Sequence, residues 1–165
     1  MGILRRLIAA FGLGAMIAWG GAVAALTPEP ACAPGIVDIR GDFGSVRLKV
    51  DLALTPQEQA RGLMFRESMP RFSGMLFVYP RESQVSFWMR NTLIPLDMIF
   101  VGADGRIVDV HENAVPLDET PIPSAAPALA VLEVNGGLTE TLGIDVGDAL
   151  RSSALPQDNA AWPCD

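Results

Sequence analysis

The sequence predicts a mainly β protein, either a small, partly open β-barrel or a sandwich, with one or two short helices. Short segments of apolar or alternating residues recur along the chain, and turns rich in Gly, Pro or Asp separate them. About seven of these segments have the pattern of strands, whereas a single stretch carries a clear helix-start signal. A closed or nearly closed sheet is the usual way in which short strands hide their edges.

Residues 1–24 have the features of a secretory signal peptide. Arg5 and Arg6 provide a basic start, residues 7–19 are apolar and uncharged, and Ala22-Val23-Ala24 offers the small residues at which signal peptidase cuts. The apolar run is shorter than the roughly 20 residues of a membrane-spanning helix. We therefore expect export to the periplasm or the medium, by either the general secretory or the twin-arginine route.

Removal of that segment makes the protein more acidic. Residues 1–24 hold two of the 12 Lys and Arg residues and none of the 19 Asp and Glu residues, so the net charge changes from −7 to −9. An acidic surface repels phosphate groups and anionic lipids, so we expect no nucleic acid partner and no stable membrane insertion after cleavage. The remaining chain of about 140 residues suffices for one domain.

The two cysteines, Cys32 and Cys164, lie near opposite ends of the mature chain. In an oxidising compartment, a disulfide between them would close a loop of about 130 residues and contribute about 4–5 kcal/mol in the chain-entropy model. The alternative is a pair of free thiols in mobile tails. We expect the disulfide, because no Cys-x-x-Cys or Cys/His spacing indicates zinc or redox catalysis.

The domain begins with a linker and a first pair of strands. Residues 25–43 have the composition of a linker with a possible edge strand at 36–39, and residues 44–152 form the single domain, followed by a tail at 153–165. Val46, Leu48 and Val50 alternate with polar residues, which is typical of a half-buried strand.

A helix start follows at Thr55-Pro56-Gln57-Glu58. Thr55 and Glu58 form a capping box, Pro56 suits the first helical position, and Gly62 ends the helix. The long loop at residues 114–127 contains four prolines, and a loop of that length is usually either functional or disordered. Further strands are predicted at 75–79, 85–89, 96–101, 106–110, 128–134 and 144–150, with a hairpin turn at 103–106 and a helical turn at 138–142.

Five motifs in order give the chain a specific signature. They are Gly-Leu-Met-Phe-Arg at 62–66, Gly-Met-Leu-Phe at 74–77, Phe-Trp-Met-Arg-Asn-Thr at 87–92, Pro-Leu-Asp at 95–97 and Leu-Glu-Val at 132–134. With Gly136, Gly143-Ile144 and Gly147-Asp148, they resemble domain-of-unknown-function family 192, whose members are small, often exported bacterial and archaeal proteins. The resemblance covers roughly residues 46–150. It implies a compact β-barrel-like fold without an established activity, and it assigns no catalytic residue.

Trp88, Asn91 and Asp97 form the main candidate ligand-binding site. If Phe87 and Met89 enter the core, the alternation of a strand turns Trp88 towards a groove or solvent. An indole, an amide and a carboxylate at one strand end suit a sugar or another small polar ligand, through stacking and hydrogen bonds. The alternative is structural: Trp88 fills the barrel, while Asn91 and Asp97 bond turn amides.

Arg66 and Glu133 complete the candidate set. Glu133 lies inside the apolar strand at 128–134, where a lone buried charge would be too costly. We therefore expect either an Arg66–Glu133 or an Arg90–Asp97 ion pair.

Three functions remain open. The leading hypothesis is a non-enzymatic binding or accessory module of the cell envelope that holds a small polar or saccharide-like ligand or a peptide, because no complete catalytic set and no cofactor motif is present. A hydrolase would pair Asp97 with Glu133 or Glu112. A copper-handling protein would use His111 with clustered methionines, although methionine also fills gaps in cores. These methionines are Met64, Met69, Met75, Met89 and Met98.

Overall fold

A curled seven-stranded sheet organises the computed structural model, which describes residues 31–164. The expected signal peptide lies outside the described residues. None of the helices within 31–164 has the length and apolar character needed to cross a membrane. The elements of the described part are β1 Ile36–Gly41, β2 Gly44–Ala53, α1 Pro56–Arg61, β3 Ser73–Ser83, β4 Ser86–Phe87, β5 Leu96–Val101, β6 Ile107–Ala114, β7 Ile122–Pro123, β8 Ala128–Asn135, α2 Leu138–Leu142 and β9 Ala149–Arg151.

The strand order of the large sheet is β6-β5-β8-β3-β2-β1-β9, and β4 pairs with β7 in a separate two-stranded sheet. Neighbours in the large sheet are antiparallel except for β2 and β3, which run parallel because α1 and a loop carry the chain back between them. The prediction of a mainly β, barrel-like domain with short helices is therefore confirmed.

The two edges of the sheet meet at one end. The backbone N–H of Ile107 donates to the Asp148 carbonyl at 2.9 Å, and the N–H of Leu150 donates to the Gly105 carbonyl at 2.8 Å. Gly105 occupies the hairpin turn with φ +79°, a conformation that favours glycine. These bonds join the start of β6 to β9, so the sheet is a half-barrel with one end closed.

Both faces of the sheet are covered by apolar side chains. The inner core lies within the curl, and a second, outer core lies between β3, β8 and β5 and the segments that cross over them. In β8, Leu132 and Val134 belong to the inner core, whereas Val131 belongs to the outer core and Glu133 points to the same outer face. The central strand is therefore buried on both sides.

Helix α1 begins with the predicted capping box. The N–H of Glu58 donates to the Thr55 hydroxyl at 3.3 Å, and the Glu58 carboxylate accepts from the N–H of Thr55 at 2.9 Å. Gly62 ends the helix at φ +48°, and a Cβ there would lie 3.3 Å from the Phe77 ring. Glycine thus allows the chain after α1 to pack closely against the outer face of β3.

Three strand predictions need correction. Residues 36–39 are not an edge strand, because β9 folds back and pairs with β1. The strand expected at 85–89 is only Ser86–Phe87, since the chain turns at Asn91 with φ +54°. The strand expected at 144–150 begins only at Ala149, because Gly147 makes a turn with φ +99°.

The C-terminal tail is packed against the domain. Leu155 is buried in the inner core, and the Trp162 ring lies between two guanidinium groups, 4.6 Å from that of Arg40 and 4.1 Å from that of Arg151. A disulfide joins Cys32 to Cys164, with 5.8 Å between their Cα atoms. The tail and the first described residues are thus fastened together beside β1 and β9.

Asp97 is a structural residue that ties three elements together. Its carboxylate is fully buried and accepts hydrogen bonds from the N–H groups of Asn113 at 2.8 Å, Gly137 at 2.9 Å and Thr139 at 2.9 Å. The Thr139 hydroxyl adds a fourth bond at 2.8 Å. Asp97 therefore links β5 to β6 and to the start of α2, as the structural alternative for this residue predicted.

Asp97→Asn should lower the free energy of unfolding by about 2–4 kcal/mol, because the amide nitrogen would face buried N–H donors that have no other acceptor. Urea unfolding at pH 7 measures this loss. Asp51→Asn is the matched control, since Asp51 forms an exposed ion pair with Arg66 and should contribute less than about 1 kcal/mol. Equal, small losses for the two variants would contradict the structural role of Asp97.

Candidate functional site

A pocket of about 110 Å³ opens on the outer face of the sheet, between the sheet and the segments that cross it. We call it the Glu133 pocket. Gln59 and Arg61 of α1 line one side, Phe77 and Tyr79 of β3 line the next, and Glu133 of β8 lies among them. It is a site where three elements distant in sequence converge.

Glu133 is the most unusual member of the pocket. Its side chain is only 4 % exposed, and it makes no hydrogen bond or ion pair with any residue between 31 and 164. Its direct neighbours across the sheet are Met75 and Met98. Because burial disfavours the charged form, the pKa of Glu133 is raised to about 8. The carboxyl is therefore mostly protonated at neutral pH.

Tyr79 lies close enough to Glu133 to feel its charge. Burial and, to a smaller extent, the carboxylate of Glu133 raise the pKa of Tyr79 to about 12. The phenol consequently keeps its proton over the physiological range, and its hydroxyl is available to donate a hydrogen bond.

Edge-to-face contacts between aromatic rings form the apolar wall of the pocket. Phe77 and Phe87 meet edge to face with ring centroids 5.1 Å apart, and Phe87 makes a second edge contact of 6.2 Å with Phe100. The pairing of Phe87 with Ile122 between β4 and β7 holds that strand in place. Such packing is worth about 0.5–1.5 kcal/mol per aromatic pair beyond burial, so the wall is rigid.

Trp88 and Arg90 form the mouth of the Glu133 pocket. Trp88 is 45 % exposed, and the Arg90 guanidinium lies 5.4 Å from its ring centroid and 4.0 Å from a carboxylate oxygen of Glu119. Met89, between them in sequence, is buried in the outer core. The alternation expected for this segment therefore holds, with the indole directed outwards.

Backbone bonds join the segments around the mouth. The N–H of Phe65 donates to the Asn91 carbonyl at 2.8 Å, and the N–H of Leu117 donates to the Thr92 carbonyl at 3.1 Å. Phe65, Asn91 and Leu117 all have positive φ, between 54° and 65°, which is rare for residues other than glycine. These three residues set the path of the chain around the mouth.

Of the five candidate ligand-binding residues, the structure brings Trp88 and Glu133 together in one pocket. Asn91 lies next to them and shapes the mouth through its backbone, while its amide nitrogen lies 3.9 Å from the Met64 sulfur. Arg66 lies outside this pocket, and Asp97 lies on the opposite face of the sheet, since it pairs with Val134 of the inner core.

Both expected ion pairs are wrong. Arg66 bonds to Asp51 at 2.6 Å, because the chain after α1 passes beside β2. Arg90 approaches Glu119, since backbone donors already surround the Asp97 carboxylate. Glu133 is thus left without the cation that the sequence pattern led us to expect.

The carboxylate pairs considered for a hydrolase do not share an open cleft. Asp97 and Glu133 lie on opposite faces of the sheet. Asp97 and Glu112 both approach the Thr139 hydroxyl, at 2.8 and 3.2 Å, but Asp97 is fully buried and holds backbone amides.

The copper alternative uses His111 with methionines, and Met98 lies opposite His111 between β5 and β6. Within residues 31–164, no three His, Cys, Asp or Glu side chains lie close enough together to hold a metal ion. Met75, Met89 and Met98 are buried in the outer core, where they fill space between strands.

Sequence reasoning missed most of the residues that line the pocket, among them Gln59, Arg61 and Tyr79. Tyr79 could have been predicted, because it lies on the same side of β3 as Phe77 and Met75. Met75 pairs with Glu133 of β8, so these side chains share one face of the sheet. The orientation of α1 could not have been predicted, since it depends on a contact between residues distant in sequence. The Gln59 amide donates to the Val78 carbonyl at 2.9 Å.

Comparisons with known proteins identify the family and two structural relatives. The model of domain-of-unknown-function family 192, described as "Uncharacterized ACR", matches residues 37–152. A protein of unknown function from Novosphingobium aromaticivorans DSM 12444 is 46% identical with a TM-score of 0.70, over 80% of this chain and 99% of that one. A protein from Sinorhizobium meliloti 1021, provisionally assigned as a transcription regulator, is 41% identical with a TM-score of 0.70, over 73% of this chain and 94% of that one.

Among curated proteins, none matches this sequence. Because the family model covers well over half of the chain, the protein belongs to domain-of-unknown-function family 192.

Proposed function

We propose that this protein is an exported binding or accessory module that holds the polar head group of a small ligand in the Glu133 pocket. One observation carries the proposal: Glu133 is 96 % buried, has no partner within residues 31–164, and lines a cavity with a mouth. Every side-chain nitrogen or oxygen that is sealed from solvent within residues 31–164 has a hydrogen-bond partner, so the unpaired Glu133 carboxyl must reach solvent through the pocket. A bound ligand would replace solvent as the partner of this carboxyl.

The composition of the pocket supports this function. Ligand sites are typically concave and mostly apolar, with a few polar groups that fix orientation. Here Phe77 and Phe87 supply apolar walls, while Glu133 and Tyr79 supply polar atoms without partners among the described residues. The mouth carries an exposed indole, which is suited to stacking on the outer part of a ligand.

The size of the pocket limits what can enter. A cavity of about 110 Å³ has space for a few water molecules. A head group of a few atoms therefore fits inside. The rest of the ligand, a sugar ring or a peptide backbone, would lie on Trp88 at the mouth. Relative to the sequence-based hypothesis, Tyr79 joins the site, and Arg66 and Asp97 leave it.

Export is part of the proposal. Residues 1–24 have the sequence features of a cleaved signal, and Cys32 is bonded to Cys164, which is characteristic of proteins in oxidising compartments. We propose no nucleic acid partner, because a net charge of −9 after removal of residues 1–24 opposes binding to phosphate groups.

The export proposal is tested by expressing the full chain in a bacterial host and measuring the intact mass of the protein released by osmotic shock. We expect a chain that begins after Ala24 and gains the mass of two hydrogens on reduction. The control Ala24→Gln should remain uncleaved, because signal peptidase requires a small residue there. Full-length protein with free thiols in the cytoplasm would contradict export.

The binding proposal is tested by tryptophan fluorescence. Trp162→Phe leaves Trp88 as the only tryptophan after residue 24, and the phenyl ring retains stacking between Arg40 and Arg151. Across a panel of amines, amides, glycan fragments and peptides, we expect a saturable change in Trp88 emission for at least one compound. Glu133→Gln should weaken that binding at least about tenfold, or about 1.4 kcal/mol.

Trp88→Phe is the matched control, because it leaves Trp162, which lies on the far tail, as the reporter. Its emission should not respond to the same compound. If Trp88 emission remains constant across the whole panel, the binding proposal fails.

A further inference from the structure

We propose that the head group held in the Glu133 pocket is an organic cation, a primary ammonium group for which Glu133 is the counter-charge and the aromatic rings are the walls. This inference rests on the proposed binding function and specifies its ligand class.

The first support is the missing counter-charge. The charged or titratable groups that line the pocket with Glu133 are Arg61 from α1, Tyr79 from β3 and Arg90 from the segment after β4. Arg90 is directed to Trp88 and Glu119, and Arg61 makes no ion pair with Glu133 in the described chain. Within residues 31–164, neither of these arginines is paired with Glu133, which leaves the carboxyl for a cation from outside.

The second support is the aromatic lining. Phe77, Tyr79, Phe87 and Trp88 all border the same small cavity as the carboxyl. The faces of aromatic rings attract ammonium groups, most strongly when the cation is desolvated. A neutral hydroxyl group gains little from ring faces.

The third support is the match of size and overall charge. About 110 Å³ admits an ammonium group with its first one or two methylenes. The net charge of −9 after removal of residues 1–24 concentrates cations near the protein surface.

Binding of a cation would release a proton. Because the pKa of Glu133 is about 8, the free pocket holds a neutral acid at pH 7. An ammonium ion entering beside it favours the carboxylate, so the Glu133 O–H bond breaks and its proton goes to solvent. Affinity should therefore rise with pH, by about tenfold per unit below pH 8, and level off above it. A neutral acceptor such as an amide would instead need the protonated acid and lose affinity above pH 8.

The experiment compares n-butylammonium with butyramide, a neutral compound of similar size, on the Trp162→Phe protein at pH 6, 7 and 8. Trp88 emission reports binding, and calorimetry in two buffers of different ionisation enthalpy reports proton release. An alkylammonium ion stays charged throughout, as lysine does with its pKa of about 10.4. We expect the affinity for butylammonium to increase from pH 6 to pH 7 and from pH 7 to pH 8, with release of a proton on binding. Butyramide should bind at least tenfold more weakly than butylammonium at pH 8.

Two variants distinguish binding at Glu133 from general attraction to the negative charge of the protein. Glu133→Gln should reduce butylammonium affinity at least tenfold and remove its pH dependence. Asp51→Asn deletes one carboxylate outside the pocket, as part of an exposed ion pair, and should leave the affinity within about twofold. If Glu133→Gln fails to fold, as judged by its melting curve, the pH profile and the butyramide comparison on the parent protein still decide the question.

Preferential binding of butyramide, an affinity for butylammonium that falls with pH, or equal effects of the two variants would overturn the cation assignment. These results are distinct from failure of the binding function itself. If a panel compound changes Trp88 emission in a Glu133-dependent way while butylammonium has no effect, the binding pocket is supported. Only the proposed ligand class is then rejected.

Discussion

Strand β8 is covered on both faces, and the rest of the domain depends on that constraint. It lies between β5 and β3, with the inner core on one side and the outer core on the other. Alternation along a strand then forces every side chain of its centre into one core or the other. Glu133 is therefore largely buried and reaches solvent only through the pocket, and this burial raises its pKa to about 8. A largely buried carboxyl is therefore expected either to be paired with another group or to take part in binding.

The outer core explains why the carboxyl is accessible at all. The inner face is sealed by the curl of the sheet and by the bonds between β6 and β9, whereas the outer face is covered by separate pieces: α1, the segment after it, and the β4–β7 pair. The Glu133 pocket is the gap that these pieces leave. Gly62 brings one piece close to Phe77, and strained residues at Phe65 and Asn91 hold the mouth. Local chain geometry thus determines the shape of the site.

Much of this fold was predictable from local patterns, because alternation, capping and turn residues act within a few positions. The capping box at Thr55 and the hairpin at Gly105 are examples. An acidic residue within the apolar run at 128–134 also marked Glu133 as a residue that needs an explanation. What the sequence did not reveal is which distant elements meet. The parallel pairing of β2 with β3 places Arg66 beside Asp51, and the return of the chain at α2 surrounds Asp97 with amides. Neither partner is close in sequence, so both expected ion pairs were wrong.

The most direct test of the account is the pKa of the Glu133 carboxyl in the free protein, measured by carbon-13 NMR of glutamate-labelled protein between pH 4 and pH 10, with Glu133→Gln to assign the signal. The account predicts one glutamate carboxyl that titrates near pH 8 and is missing from the variant. If every glutamate carboxyl titrates below about pH 5, as exposed or paired groups do, then Glu133 is already solvated or partnered, and the basis for the proposed pocket is lost.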